Sequence, residues 1–147
     1  MRGFRIRHFA LQDMSRTLEI ERGSFGVDAF SETIFCEWFN KSPALFLVGE
    51  INQKIVGYII ASVRRQKGEI VSIAVDHTYR HKGIGKELVI LALKNLKDLG
   101  INTVELEVRT SNEEAIHFWK SLEFSIVRTL NRYYDDGGDA LKMRKMV

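Results

Sequence analysis

One cysteine, one proline and no long apolar stretch stand among 147 residues. Each scarcity removes a class of protein. A lone Cys36 excludes an internal disulfide, so the chain is not a stapled secreted scaffold. The longest candidate membrane run, "IVGYIIASV" at 55–63, is far short of the ~20 residues that a spanning helix needs. The opening "MRGFRIRHF" interrupts its apolar residues with charge, unlike a signal peptide. The net charge is only +3 and the basic residues are scattered, so neither a nucleic-acid surface nor a membrane partner is indicated. No metal is expected. What is present, 45% hydrophobic and 28% charged residues, matches a soluble globular chain. A single domain over 1–147 in a reducing, cytoplasmic setting is the expectation.

Periodicity supplies the layout. "FRIRHF" (4–9) alternates as a strand. Asp13 can cap a first helix, and Ser31 a second, "ETIFCEWFNK", that stops before Pro43. "ALFLVGE" (44–50) and "KIVGYIIASVRR" (54–65) read as a hairpin around Asn52, and "EIVSIAV" (69–75) as a third strand after a turn at Gly68. Leu88, Leu91, Ala92, Leu96 and Leu99 then fall on one helical stripe, closed by Gly100 in a left-handed conformation. "TVELEV" (103–108) is a strand, "NEEAIHFWKSL" (112–122) a helix capped by Asn112, and "SIVRTL" (125–130) and "ALKMRKMV" (140–147) are two closing strands. The fold class expected is α/β (α+β): a mixed, mostly antiparallel central sheet flanked by about four helices.

Between the third strand and the Leu-rich helix lies "RHKGIGK", from Arg80 to Lys86. Gly83 and Gly85 remove side chains where the backbone turns, and Arg80, Lys82 and Lys86 add positive charge at a helix start. A nucleotide-hydrolysing phosphate loop would need glycine at 80 and Ser or Thr at 87, where Arg80 and Glu87 stand. A dinucleotide fingerprint would need glycine at 88, where Leu88 stands, and a parallel sheet before it. Free amides at a helix start with local cations still suit phosphate or pyrophosphate without a metal. An ordinary Gly-rich turn with solvated charges is the competing reading.

The stretch Arg80-His81-Lys82-Gly83-Ile84-Gly85, after "VSIAVDHTY" and before a helix, resembles the Arg/Gln-x-x-Gly-x-Gly/Ala motif of the GNAT superfamily of N-acetyltransferases. Downstream, "LEVRTSNEEAIHFWKSLEF" and "RYYDDGGDALKM" resemble the corresponding segments of its RimI-like protein N-terminal acetyltransferases, so the likeness spans about residues 4–146. It implies a GNAT-type domain that binds acetyl-coenzyme A as co-substrate. The strand Ile73-Ala74-Val75 would bond the pantetheine arm through its backbone. Arg80, His81, Lys82, Gly83, Ile84, Gly85 and Lys86 would hold the pyrophosphate, and Asn112 would contact the cofactor as well as cap its helix. The family's acceptor amine attacks the thioester directly, which leaves Cys36 as packing.

In "VELEV", Val104, Leu106 and Val108 face one way, and Glu105, Glu107 and Arg109 the other. The resemblance puts Glu107 at the position of the general base; an exposed strand face is the competing explanation. An α-amino group near 7.7–8.0 is already roughly a tenth neutral at pH 7, whereas a lysine near 10.4 needs about 4–5 kcal/mol for the same deprotonation, so one carboxylate suits the former. At Trp119 the sequence departs from the family, which commonly has a tyrosine acid there. Indole donates a hydrogen bond but cannot serve as that acid, and a thiolate of pKa near 8.5 leaves tolerably without one. Tyr133 and Tyr134 match paired tyrosines over the acceptor, with Phe25 expected as the opposite wall. The implied acceptor is a protein or peptide N-terminus, ribosomal proteins among the candidates, and the implied state a monomer or weak homodimer. Two alternatives stay open: an acetyltransferase for a polyamine, amino acid or other small amine, and a non-catalytic acyl-coenzyme A-binding module.

Overall fold

The computed structural model describes residues 2–147. Its elements follow in the order β1 (Phe4–His8), α1 (Met14–Phe25), α2 (Glu32–Lys41), β2 (Phe46–Ile51), β3 (Lys54–Arg64), β4 (Lys67–Val75), α3 (Ile84–Asp98), β5 (Thr103–Arg109), α4 (Glu113–Ser121), β6 (Ser125–Leu130) and β7 (Ala140–Met146). The strands form one sheet in the order β1-β2-β3-β4-β5-β7-β6. All neighbours are antiparallel except β4 and β5. The mixed, mostly antiparallel architecture with four helices is the one expected from periodicity.

Hydrophobic residues on the two faces of the sheet make two cores. On one face α1 and α2 bury Leu18, Ile20 and Phe35 against Phe9, Phe46 and Tyr58. Phe9 stacks on Phe46 at 4.0 Å, and Phe35 meets Tyr58 edge-on at 5.6 Å, the offset arrangements that aromatic quadrupoles favour. On the other face α3 and α4 bury Leu88, Ala92, Leu96 and Trp119 against Ile59, Val104 and Leu106. Helices on both faces explain why β3 reads as a nearly continuous apolar run.

The one parallel pair sets up the site. Pairing of β4 with β5 reaches only Gly68↔Val104 and Glu69↔Glu105. Immediately beyond, Ile60 faces Ser72 while Ala61 faces Ile70, so Val71 is an extra residue on β4. Such a bulge bends and twists its strand. The rest of β4, through Ile73 to Val75, diverges from β5 and leaves a cleft between two strand ends.

Four expectations need correction. The β3–β4 turn is Arg65–Gln66, both at positive φ, and Gly68 lies inside β4. A Cβ at Gly68 would stand 3.0 Å from Leu96 and 3.1 Å from Val104, so close packing of α3 and β5, not a turn, needs glycine there. Asp13 begins α1 but does not cap it through its side chain; its carboxylate accepts from Arg7 and from the N–H of Ala10. Leu99 is 61% exposed, because α3 ends there and Gly100, at φ 85, turns the chain so that Ile101 takes the core position. Glu105, on the strand face for which exposure was the competing explanation, is buried and held by Arg144, Lys142 and Lys67.

Candidate active site

The charged loop begins at Asp76, whose side chain accepts from the N–H of Thr78 at 2.9 Å and pairs with Arg16 from α1. His81 and Gly83 both take positive φ, which swings the chain into α3 at once. Gly83 is the residue before the helix and supplies no side-chain cap. The first amides of α3 are therefore open and carry the positive end of the helix dipole. A cavity of about 700 Å³ lies against them, lined by Ile73, Ala74, Val75, Arg80, His81, Gly83, Ile84, Gly85 and Lys86 on one side and by Asn112, His117, Phe118 and Trp119 on the other. A Cβ at Gly85 would come into contact with the Phe118 ring at 3.4 Å, so a longer side chain there would have to enter the space between α3 and α4.

Two residues of the loop behave differently from a row of free cations. Arg80 turns inward: its Nε donates to the carbonyl of Val75 at 3.1 Å and an Nη to Ser24 Oγ at 3.1 Å, tying β4 to α1. Lys82 is exposed and outside the residues that line the cavity. Ile84 is buried in the core, so only its backbone is placed to meet a ligand.

A second cavity of about 340 Å³ opens on the β5 side of the cleft, lined by Phe25, Asp28, Phe30, Ser72, Glu107, Arg109 and Tyr134 among others. Arg109, the last residue of β5, joins its two rims. The guanidinium makes a bidentate pair with Asp28 of the α1–α2 loop at 2.7 and 2.9 Å, reaches Asp136 of the β6–β7 loop at 3.2 Å, and lies 4.0 Å over the ring of Tyr134. Asp136 is held below the usual carboxylate range, first by the N–H of Gly138 and then by Arg109. Sequence reading passed over this clamp, since Asp28 and Arg109 stand 81 positions apart.

Glu107 is exposed and faces the second cavity. Lys142 lies 3.3 Å from one carboxylate oxygen, and the Tyr133 hydroxyl donates to the other at 3.2 Å. The Tyr133 hydroxyl is pushed up to about 12 by burial and by the adjacent Glu107 charge, so it remains a donor. The two tyrosines divide their work: Tyr134 lines the cavity, while Tyr133, 49% exposed, meets Tyr134 edge-on at 5.0 Å and supports Glu107 instead.

The two cavities share Ser24, Phe25, Ile73, Asn112, Ala115 and Trp119. Asn112 caps α4 by accepting from the N–H of Ala115 at 3.1 Å, which leaves its amide nitrogen uncommitted. Trp119 is buried between the rings of Phe118 and Phe124. No side-chain polar atom of the described residues is both sealed from solvent and unpaired, so the indole N–H, which has no protein acceptor, keeps some contact with solvent. Among the described residues no three His, Cys, Asp or Glu side chains are grouped to hold a metal.

Residues 11–124 match the model of the acetyltransferase (GNAT) family. An N-alpha-acetyltransferase of Sulfurisphaera tokodaii is 35% identical, over 95% of this chain and 91% of that protein. Among solved structures, Ard1 from Thermoplasma volcanium superposes with a TM-score of 0.94 at 29% identity, over 99% of this chain and 98% of that one. The ribosomal-protein-S18-alanine N-acetyltransferase of Escherichia coli gives 0.83 at 27% identity, over 98% of this chain and 94% of that one.

Proposed function

The chain belongs to the GNAT family of acetyltransferases, and on that premise we propose that it transfers the acetyl group of acetyl-coenzyme A to the α-amino group of protein N-termini. The observation that carries this reading is the wall shared by the two cavities. A long, open cavity ending on bare helix amides fits a pyrophosphate with its pantetheine arm, and a smaller one fits a chain end. Their contents can touch only at Ser24, Phe25, Ile73, Asn112, Ala115 and Trp119.

At that wall the amine nitrogen attacks the thioester carbonyl, the new C–N bond forms as the C–S bond breaks, and coenzyme A leaves as thiolate. The proton shed by nitrogen passes to Glu107, whose carboxylate is held in place by Tyr133 and Lys142. Trp119 offers an N–H to the thioester or the departing sulfur but no proton. On the cofactor side, the Val75 carbonyl is occupied by Arg80, so the pantetheine arm is left the remaining backbone groups of Ile73 and Val75. The pyrophosphate meets the amides of Ile84, Gly85 and Lys86, with the Lys86 side chain as local cation.

Relatives that modify N-termini, one of them a ribosomal-protein acetyltransferase, support the acceptor class, and ribosomal proteins in a cytoplasmic setting are candidate acceptors. A protein active as a monomer or weak homodimer is part of the same proposal. The test is kcat/KM on short peptides with free N-termini, the same peptides blocked, a blocked peptide with internal lysine, and spermidine. Free N-termini should be acetylated fastest. Equal rates on the blocked lysine peptide, or faster transfer to spermidine, would replace the acceptor while leaving the cofactor site intact.

A further inference from the structure

The acceptor cavity contains a second carboxylate that the transfer step leaves unused. Glu21, from the middle of α1, is 1% exposed and still lines that cavity. One of its oxygens accepts from the Tyr58 hydroxyl and from Ser72 Oγ at 2.9 Å, and the other accepts from the N–H of Phe30 at 2.9 Å. All three donors are neutral. A carboxylate offers about four acceptor sites, so one site on the second oxygen remains unfilled.

Comparison with the other buried carboxylates isolates it. Asp13, Glu50 and Glu105 are also buried, and each is paired with arginine: Asp13 with Arg7, Glu50 with Arg5 and Arg7, Glu105 with Arg144. Glu21 is the most deeply buried of the four, yet none of the ion pairs formed within 4.0 Å by the described residues includes it. Arg109 of the same cavity is taken up by Asp28 and Asp136. A carboxylate buried without a cation is unfavourable, and the cavity that Glu21 lines gives a cation a route to it.

We propose that Glu21 is the anionic anchor for a primary ammonium group entering the acceptor cavity, and that it selects charged amines over neutral groups of the same shape. This rests on the reading of that cavity as the acceptor site. The division of labour is then between two carboxylates. Glu21, on α1, holds the amine in the protonated form in which it arrives; Glu107, on β5, takes that first proton when nitrogen turns to the thioester, and the second proton, shed as the C–N bond forms and the thiolate leaves, passes to solvent water. The ammonium could be an α-amine or a side-chain amine, and the experiment separates them.

The dead-end complex with coenzyme A is titrated calorimetrically with a serine-initiated hexapeptide, with the same peptide carrying a hydroxyl in place of its α-amine, and with an N-blocked peptide containing lysine. The wild-type protein should bind the amine peptide roughly tenfold or more tightly than its hydroxyl analogue, as expected for a charge-assisted contact. Glu21→Gln should bind both alike, and Tyr58→Phe, which removes a neighbour but keeps the charge, should preserve the preference. A Gln-sensitive preference confined to the lysine peptide would support the anchor and assign it to a side-chain amine. Should Glu21→Gln not fold, wild type and Tyr58→Phe still decide: a preference present in both supports the anchor, and no preference in wild type overturns it. Peptide acetylation with an amine preference that survives Glu21→Gln, or that is lost equally in Tyr58→Phe, overturns this inference alone. Failure to acetylate any peptide or small amine would bring down the reading of the cavity and the anchor with it.

Discussion

In the cavity beside α3, the groups placed to meet an anion are main-chain amides at a helix start whose capping side chain is missing. In the cavity beside β5, the groups placed to meet a chain end are side-chain charges: Glu21, Asp28, Glu107 and Arg109. A site made of backbone tolerates exchange of its neighbours but not the filling of its space. A site made of charged side chains is sensitive to the loss of any one of them, because wherever two are paired, as Arg109 is with Asp28, the other is left uncompensated. The same contrast sets how each half responds to substitution.

The largest effect should come from filling the backbone half. Gly85→Glu places a carboxylate among the open amides and against Phe118, and should weaken coenzyme A binding on the order of 100-fold while the thermal transition persists. Calorimetry measures it, with chelator present to establish that affinity is independent of magnesium. Unchanged affinity would remove the loop from the cofactor site.

Next comes Glu107→Gln, which should lower kcat by about 10- to 100-fold below about pH 7 and by little above about pH 9, where the amine deprotonates unaided. A loss that is flat across pH would make Glu107 a positioning group. Asp28→Asn should act more weakly and on one substrate only. With the clamp reduced to Asp136, KM for peptide should rise roughly fivefold while KM for acetyl-coenzyme A stays constant, as expected for a partly exposed ion pair. Equal changes in both constants would show that the two halves are not separable at the clamp.

Trp119→Tyr sits on the shared wall and should keep or raise turnover, within about threefold, at a stability loss of about 1–2 kcal/mol for the smaller ring between Phe118 and Phe124. Loss of cofactor binding would make Trp119 a packing residue alone.

The smallest kinetic effect is expected away from both cavities. Burial would raise Asp13, but hydrogen bonds from Arg7 and the N–H of Ala10 outweigh it and hold the carboxyl low. Glu50 is held low first by Arg5, against burial, and then by Arg7. A carboxylate with a depressed folded pKa stabilises the fold above its unfolded value near 4 and loses that contribution as pH falls. Arg7→Met should therefore lower stability at pH 7 by about 2 kcal/mol and flatten the acid limb of Tm against pH. Both KM values should be unchanged.

Legibility in the sequence follows the same division. The cofactor half rests on local features: "RHKGIG" between a strand and a helix, Asn112 before "EEA", and the apolar runs that fix β4 and α3. Local spacing is what a sequence displays. The acceptor half rests on meetings between distant segments. Glu21 meets Ser72 over 51 positions, Arg109 meets Asp28 over 81, and no pattern in "IERGSFGVD" announces either. Alternation placed Glu105 and Glu107 on one face, and the structure separates them: β7 sets Arg144 opposite Glu105, which is buried among Arg144, Lys142 and Lys67, and Lys142 opposite Glu107, which stays exposed. The cleft between β4 and β5 was also invisible, since nothing in the alternation of "EIVSIAV" shows that pairing stops after Glu69 or that Val71 is bulged.

The central claim is that two cavities meet at one wall, so that the amine and the thioester react directly. A peptide whose α-amine is joined to coenzyme A through an acetyl bridge tests this in one measurement. Steady-state inhibition should be competitive against acetyl-coenzyme A and against peptide, with a dissociation constant far below that of either substrate. Competition with acetyl-coenzyme A alone would contradict the account, because the peptide arm would then have no cavity to enter.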